Sequence, residues 1–279
     1  MKSKLTRVST ILLLLFVSRP SYGVGKLTLD EVVAKHLESI GSAQNLKGVT
    51  TRIISGASLV IFRTTPTGQA SGKAVLASDG SKNLIGMSFY SPVYPREQFG
   101  FNGHDFMAAF VTPGVRSSLG SFLMLHEFIF KSGLMGGTLS SAWPLLDLSA
   151  QKGTLEYEGL KKVKDQNLHE LRYQPKNGSE LQVSIFLDEK TFEHVRTEYQ
   201  RVIPASTGDR TTNQERERRY KLVEEFSLFR LESGLNLPHI YRIEFAADTQ
   251  SGTFLAEWTA TFAQFAFNQP IDPAAFNTN

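Results

Sequence analysis

The sequence predicts an α+β fold dominated by antiparallel strands. Three observations lead there. Segments rich in β-branched and aromatic residues recur between short turn signals. The connections are too short for parallel crossovers, which need a dozen or more residues. One strongly apolar block in the middle, Leu119 to Met135, reads at helical period instead.

The first 23 residues read as a secretory leader. Lys2, Lys4 and Arg7 precede the apolar run Ile11–Val17, and Ser21-Tyr22-Gly23 supplies small residues before a cut ahead of Val24. That run is too short to span a bilayer, which takes about 20 apolar residues. The expected location is therefore the periplasm. The sequence contains no cysteine, which excludes disulfides, thiol chemistry, cysteine metal sites and a lipid-modified anchor.

The formal net charge of +3 belongs to the leader. Without Lys2, Lys4, Arg7 and Arg19, 26 basic residues face 27 acidic ones, a net of −1. Such a chain has no general attraction for nucleic acid.

Next comes a helix. Thr28 caps it, Glu31 completes a capping box, and Val32, Val33, Leu37 and Ile40 recur at helical spacing up to Gly41. Strands are expected at Val49–Arg63, with Gly56 as a bulge, and at Lys73–Ala77, Asn83–Tyr90, Glu97–Phe101 and Asp105–Val111. Asn102-Gly103 marks a tight hairpin. The block Leu119–Met135 is expected as a helix buried on several sides, followed by a second short helix over Leu139–Leu148.

Strands resume at Thr154–Val163, Leu168–Gln174, Leu181–Leu187 and His194–Val202. A polar, mobile loop is expected at Ile203–Arg219. Tyr220–Arg230, Ile240–Ala247 and Thr253–Phe267 complete the series. In the last, Phe254, Trp258 and Phe262 share one face, and Glu257, Thr259 and Thr261 share the other. Residues 24–279 are read as one domain.

Three segments carry a family resemblance. Asp30–Gly41 resembles the opening helix, Leu187–Thr191 the late hairpin, and Ile271–Phe276 the closing segment of the periplasmic lipoprotein carriers, the LolA/LolB/LppX-like or outer-membrane lipoprotein-sorting group. The resemblance spans most of the mature chain in layout. It implies a strongly curved antiparallel sheet, an incomplete β-barrel, with short helices over about 117–148 as a lid and a cavity for acyl chains. Carriers of that group use an arginine near the start of the sheet to hold the lid. Arg96 lies in that region, among residues that do not match the family, and the role is not transferred to it.

On these grounds the expected lining of a hydrophobic cavity is Phe122, Leu125, Phe128, Ile129, Trp143, Phe254, Trp258 and Phe262. The competing reading of the same residues is plain core packing. Phe, Leu and Met suit acyl chains, which offer no hydrogen bonds. The expected partner is a lipid or lipoprotein acyl chain, with envelope proteins second and no nucleic acid. The chain is expected to be a monomer that binds without cofactor or metal.

An envelope scaffold or sensor with a self-filled interior is the second reading, and a hydrolase with dispersed groups the third. His126-Glu127 and His169-Glu170 lack the second histidine of a zinc-protease motif, and His104-Asp105 follows a turn. No Gly-x-Ser-x-Gly elbow or phosphate loop is present. The run Glu215–Arg219 reads as a solvated loop.

Overall fold

The computed structural model describes residues 27–64, 67–147, 153–205, 217–250 and 252–278. The expected leader and most of the expected loop at Ile203–Arg219 lie outside them.

The opening helix α1 (Leu29–Ile40) forms as the capping box requires. The Glu31 amide donates to Thr28 Oγ1 at 3.3 Å, and the Thr28 amide to Glu31 Oε2 at 2.8 Å. Its buried face is Val32, Val33, His36 and Ile40. A short helix α2 (Ala43–Gly48) follows.

The strands are β1 (Thr51–Phe62), β2 (Gly68–Asp79), β3 (Lys82–Phe89), β4 (Arg96–Phe101), β5 (Phe106–Ala108), β6 (Gly153–Val163), β7 (Gln166–Pro175), β8 (Gln182–Asp188), β9 (His194–Ile203), β10 (Arg218–Glu232), β11 (Leu235–Thr249) and β12 (Gly252–Phe267). They make one antiparallel sheet in the order β5-β4-β3-β2-β1-β12-β11-β10-β9-β8-β7-β6. The sheet is two meanders joined where β12 pairs with β1. Its two edges, β5 and β6, do not pair, so it is an open, curved half-barrel.

Parity separates its faces. Inward are Ile54 and Val60, Leu76, Ile85 and Met87, Phe99, Leu171, Val183 and Ile185, Leu222 and Phe226, Tyr241 and Phe245, and Trp258 and Phe262, all buried. Outward, β7 to β12 carry ion pairs. Arg196 bonds Glu198 and Glu225; Arg242 joins Glu225 at 3.0 Å to Glu257 at 2.9 Å; Arg63 reaches Glu257 at 3.1 Å. Each exposed pair contributes little to stability. Together they oppose a one-residue slip, which would turn these charges inward.

The expected bulge in β1 is present, but the extra residue is on the partner. Ser55 pairs with Gln264 and Gly56 with Phe262, leaving Ala263 unpaired. The backbones crowd at this bend, and a Cβ at Gly56 would lie 2.0 Å from Thr261 O. A second close approach occurs at Gly72, where a Cβ would lie 1.7 Å from Ser88 O.

The apolar middle differs from the expectation. The single helix expected over Leu119–Met135 is two short ones, α3 (Ser118–Leu125) and α4 (Phe128–Lys131), broken at His126-Glu127. Gly133 then turns the chain with φ +71°. In its described part, up to residue 147, the second helix expected over Leu139–Leu148 is replaced by single 3₁₀ turns at Gly137–Leu139 and Pro144–Leu146. Pro144 lacks an N–H, and Trp143 before it is held out of the helical region (ψ 120°). Side chains of the sheet take the backbone groups that a helix would have paired.

Gly72→Ala is expected to destabilise the protein by roughly 2 kcal/mol or more, because the added methyl meets backbone on a paired strand. Urea unfolding checks this. A change under about 0.5 kcal/mol would contradict the close approach of β2 and β3.

Candidate functional site

The described part of the segment between β5 and β6 crosses the concave side of the sheet. Its irregular stretch, residues 133–141, is fixed by side chains pointing inward from four strands. Arg52 Nη1 (β1) donates to Thr138 O. Asn83 Nδ2 (β3) donates to Met135 O at 3.1 Å. The Gly136 amide donates to Glu224 Oε1 (β10) at 2.8 Å. The Ser141 amide donates to Ser78 Oγ (β2) at 2.9 Å.

Burial makes these contacts costly to break. Glu224 also accepts from Tyr241 Oη at 2.6 Å and Tyr199 Oη at 2.7 Å. Loss of water raises its pKa from 4.5 to about 7, against the three donors that pull it down. Burial lowers the Arg52 pKa to about 10.

Trp143 is the apolar anchor of the same segment. Its indole stacks on His194 with ring centres 4.5 Å apart, and its Nε1 donates to His36 Nε2 at 3.1 Å. His36 Nδ1 therefore carries the proton and donates to Phe192 O at 2.9 Å. Desolvation lowers the His36 pKa to about 4, so the ring is neutral at pH 7.

Among the described residues, a cleft with an apolar wall lies beside α3. It measures about 640 Å³ and lies between α3 and the ends of β9–β12. Phe122, Leu125, Tyr220, Phe245 and Phe254 supply its apolar wall, and Arg201 and Arg218 stand at its edge. Phe122 and Phe245 meet with ring centres 5.0 Å apart. Leu125 is 76 % exposed. His126, at the end of α3, also lines the cleft. Burial first, and Arg201 second, lower its pKa. A larger groove of about 860 Å³ lies on the outer face of β1–β4, over a floor of Ser55, Gly56, Ala57, Gly72 and Gly86.

Of the eight residues expected to line a cavity, Phe122, Leu125 and Phe254 meet at this cleft. Ile129, Trp143, Trp258 and Phe262 are buried in the protein core, and Phe128 is half-buried beside His126. Arg96 donates to Phe110 O at 3.0 Å on the rim. The arginine that holds the crossing segment is Arg52.

The candidate histidines of the hydrolase reading sit on three separate elements. His104 pairs with Asp105 at 2.9 Å on an exposed turn, His126 ends α3, and His169 bonds Tyr157 at 2.8 Å on β7. Among the described residues, no group of three or more His, Asp or Glu side chains could hold a metal, and no helix is long and apolar enough to cross a membrane.

Arg52, Asn83, Glu224 and Phe245 were missed in the sequence. Parity was the available signal: Arg52 alternates with Ile54, Asn83 with Ile85, and Glu224 with Leu222 and Phe226. A polar residue in the apolar register of a strand points inward and needs a partner.

No family model matches the sequence, and no curated protein does. Among solved structures the chain is similar to a LolA superfamily protein from Nitrosomonas europaea, with 12% identity over 90% of this chain and 98% of that one, TM-score 0.46. It is similar to a putative outer membrane lipoprotein-sorting protein domain from Vibrio parahaemolyticus, with 13% identity over 88% and 95%, TM-score 0.42. It is also similar to a DUF1329 family protein from Desulfovibrio piger, with 11% identity over 90% and 97%, TM-score 0.40.

The buried carboxyl gives a signed pH effect. With its folded pKa raised to about 7 from 4.5, Glu224 contributes stability that is fully present below pH 4.5 and lost as pH rises through 7. Glu224→Gln removes that loss and leaves the buried histidines unchanged. Its stability relative to the parent protein is expected to improve between pH 4.5 and 7 by up to ~1.4 kcal/mol per pH unit. Urea unfolding of both proteins across this range checks the slope; a pH-independent difference would contradict it.

Proposed function

We propose that this protein is a periplasmic binding or carrier protein that holds an acyl chain, from a lipid or a lipoprotein, non-covalently in the cleft beside α3. The observation that supports this reading is a cleft beside α3 whose wall is apolar, with Leu125 exposed at its mouth and Tyr220 and Phe254 half-buried within it. Phe122, Phe245 and Phe254 offer no hydrogen bonds there, and Leu125 stays exposed above them. An acyl chain covers such a surface, and each buried methylene contributes roughly 0.8 kcal/mol. Arg201 and Arg218 at the edge suit an anionic or phosphate-bearing headgroup.

The gate in this reading is α3. Residues 133–141 are pinned by buried hydrogen bonds and stay with the sheet, whereas α3 has one side open towards solvent at Ser121 and Leu125. The ligand covers the apolar surface that α3 uncovers as it opens, and its differential affinity sets how far opening proceeds.

A second reading is an envelope scaffold or sensor that binds another protein. The self-filled interior at Ile129, Trp143, Trp258 and Phe262 favours it.

Native mass spectrometry after gentle purification, with extraction of bound lipid, tests the carrier reading. A co-purifying lipid, or saturable uptake of pyrene-labelled palmitate, is the expected result. Leu125→Arg is expected to weaken uptake by roughly tenfold without lowering the melting temperature, since this side chain is exposed. Absence of both lipid and uptake, with a reproducible partner in periplasmic cross-linking, would replace the carrier reading by the scaffold.

A further inference from the structure

The outer face of the sheet is built in two ways. From β7 to β12 its side chains join in ion pairs. From β1 to β4 it holds the groove of about 860 Å³, and no acid lines that groove.

Strand register produces the groove. Ser55, Val75, Gly86 and Gln98 stand opposite one another in one cross-strand row, which Gln264 of β12 extends. Ala57, Lys73, Ser88 and Arg96 form the next row. Both rows point outward, because Ile54, Leu76, Ile85 and Phe99 beside them are buried on the inner face. The centre of the first row has a short side chain at Val75 and none at Gly86, so the floor is low between longer walls. In the row on its other side, Ala77 and Leu84 are covered by Ile271 and Phe276 of the closing segment, which walls off that end.

The walls carry one sign of charge. Lys73 is exposed, and among the described residues it makes no ion pair. Arg96 donates its Nε to Phe110 O at 3.0 Å and keeps its terminal nitrogens for a ligand. Their strands, β2 and β4, lie two strand spacings apart, roughly 10 Å. Two cations so placed suit acids set at intervals along a chain better than one compact anion. The Gln98 and Gln264 amides and the Ser55 and Ser88 hydroxyls add both donors and acceptors.

An extended peptide is a poor match for this groove. Strands β1 to β4 are paired on both sides, so no strand edge is open to a peptide backbone. A hydroxyl-rich ring needs no edge. Amide and hydroxyl side chains take its hydroxyls, and its C–H face lies on the low floor.

We infer that this outer groove binds an acidic glycan, with its acid groups at Lys73 and Arg96 and its hydroxyls at Ser55, Ser88, Gln98 and Gln264. The groove and the cleft beside α3 lie on opposite faces of the sheet and share no residue. The inference therefore goes beyond the carrier reading and does not depend on it.

Fluorescence anisotropy of labelled hexagalacturonate, titrated with the full chain, tests this. Saturable binding that weakens with salt is expected. Maltohexaose and hexaglutamate are each expected to compete roughly tenfold or more less well than unlabelled hexagalacturonate. Lys73→Gln is expected to weaken binding by roughly tenfold. Ala57→Trp, at an exposed position, fills the groove and is expected to abolish binding at the parent's melting temperature. Uptake of pyrene-palmitate is expected to be unchanged in both variants.

A parent protein that does not bind hexagalacturonate, or an Ala57→Trp variant that binds it as the parent does, overturns the inference. Hexaglutamate competing as well as the glycan overturns it too, and would mark the groove as a contact for acidic protein segments. Groove-dependent glycan binding without palmitate uptake would sink the carrier reading and leave this one standing.

Discussion

An irregular stretch of backbone can lie inside a protein only where its N–H and C=O groups find partners. Residues 133–141 meet that constraint with Arg52, Ser78, Asn83 and Glu224, each placed on the inner face of a strand by parity. The partners are long or polar side chains held against their own tendency to stay in water. Breaking any one leaves an unpaired buried group, which costs about 1–3 kcal/mol, and more where it is charged. The crossing segment is thus a structural part of the half-barrel, and its buried side chains, Leu134, Met135, Leu139 and Trp143 among them, occupy part of the concave side.

That occupation decides where a ligand could enter. Trp143, stacked on His194 and bonded to His36, fills the end of the barrel near α1. Phe99, Phe106 and Phe130 fill the region under β4 and β5, with ring centres 4.8–5.8 Å apart. At the opposite end, a cleft lies between α3 and β9–β12, where Tyr220 and Phe254 are half-buried and Phe122 and Phe245 are buried behind them. The same end carries the Tyr94–Glu97–Ser117 link, which couples the start of α3 to the β3–β4 loop.

Much of the fold was legible because its signals are local. Thr28 and Glu31 fixed the start of α1, Asn102-Gly103 fixed a turn, and alternation located the strands to within a few residues. The middle was misread because an apolar run has the same composition as a helix or as a buried coil; Gly133, Gly136 and Gly137 were the visible warning, all with positive φ in the structure. The open curved sheet required the resemblance as well, since nothing local tells β12 to pair with β1. Half of the site was hidden for the same reason: Phe122 and Phe254 stood out as aromatic, but Phe245 joins them only through long-range pairing of β11.

Hydrogen exchange at the Gly136 amide tests the central constraint most directly. The account predicts protection approaching that of global unfolding, as in the central strands, because this N–H is bonded to a buried carboxyl and cannot open without unpairing Glu224. Exchange of Gly136 at the rate of exposed turns would contradict it, and would make residues 133–141 a lid that leaves the sheet.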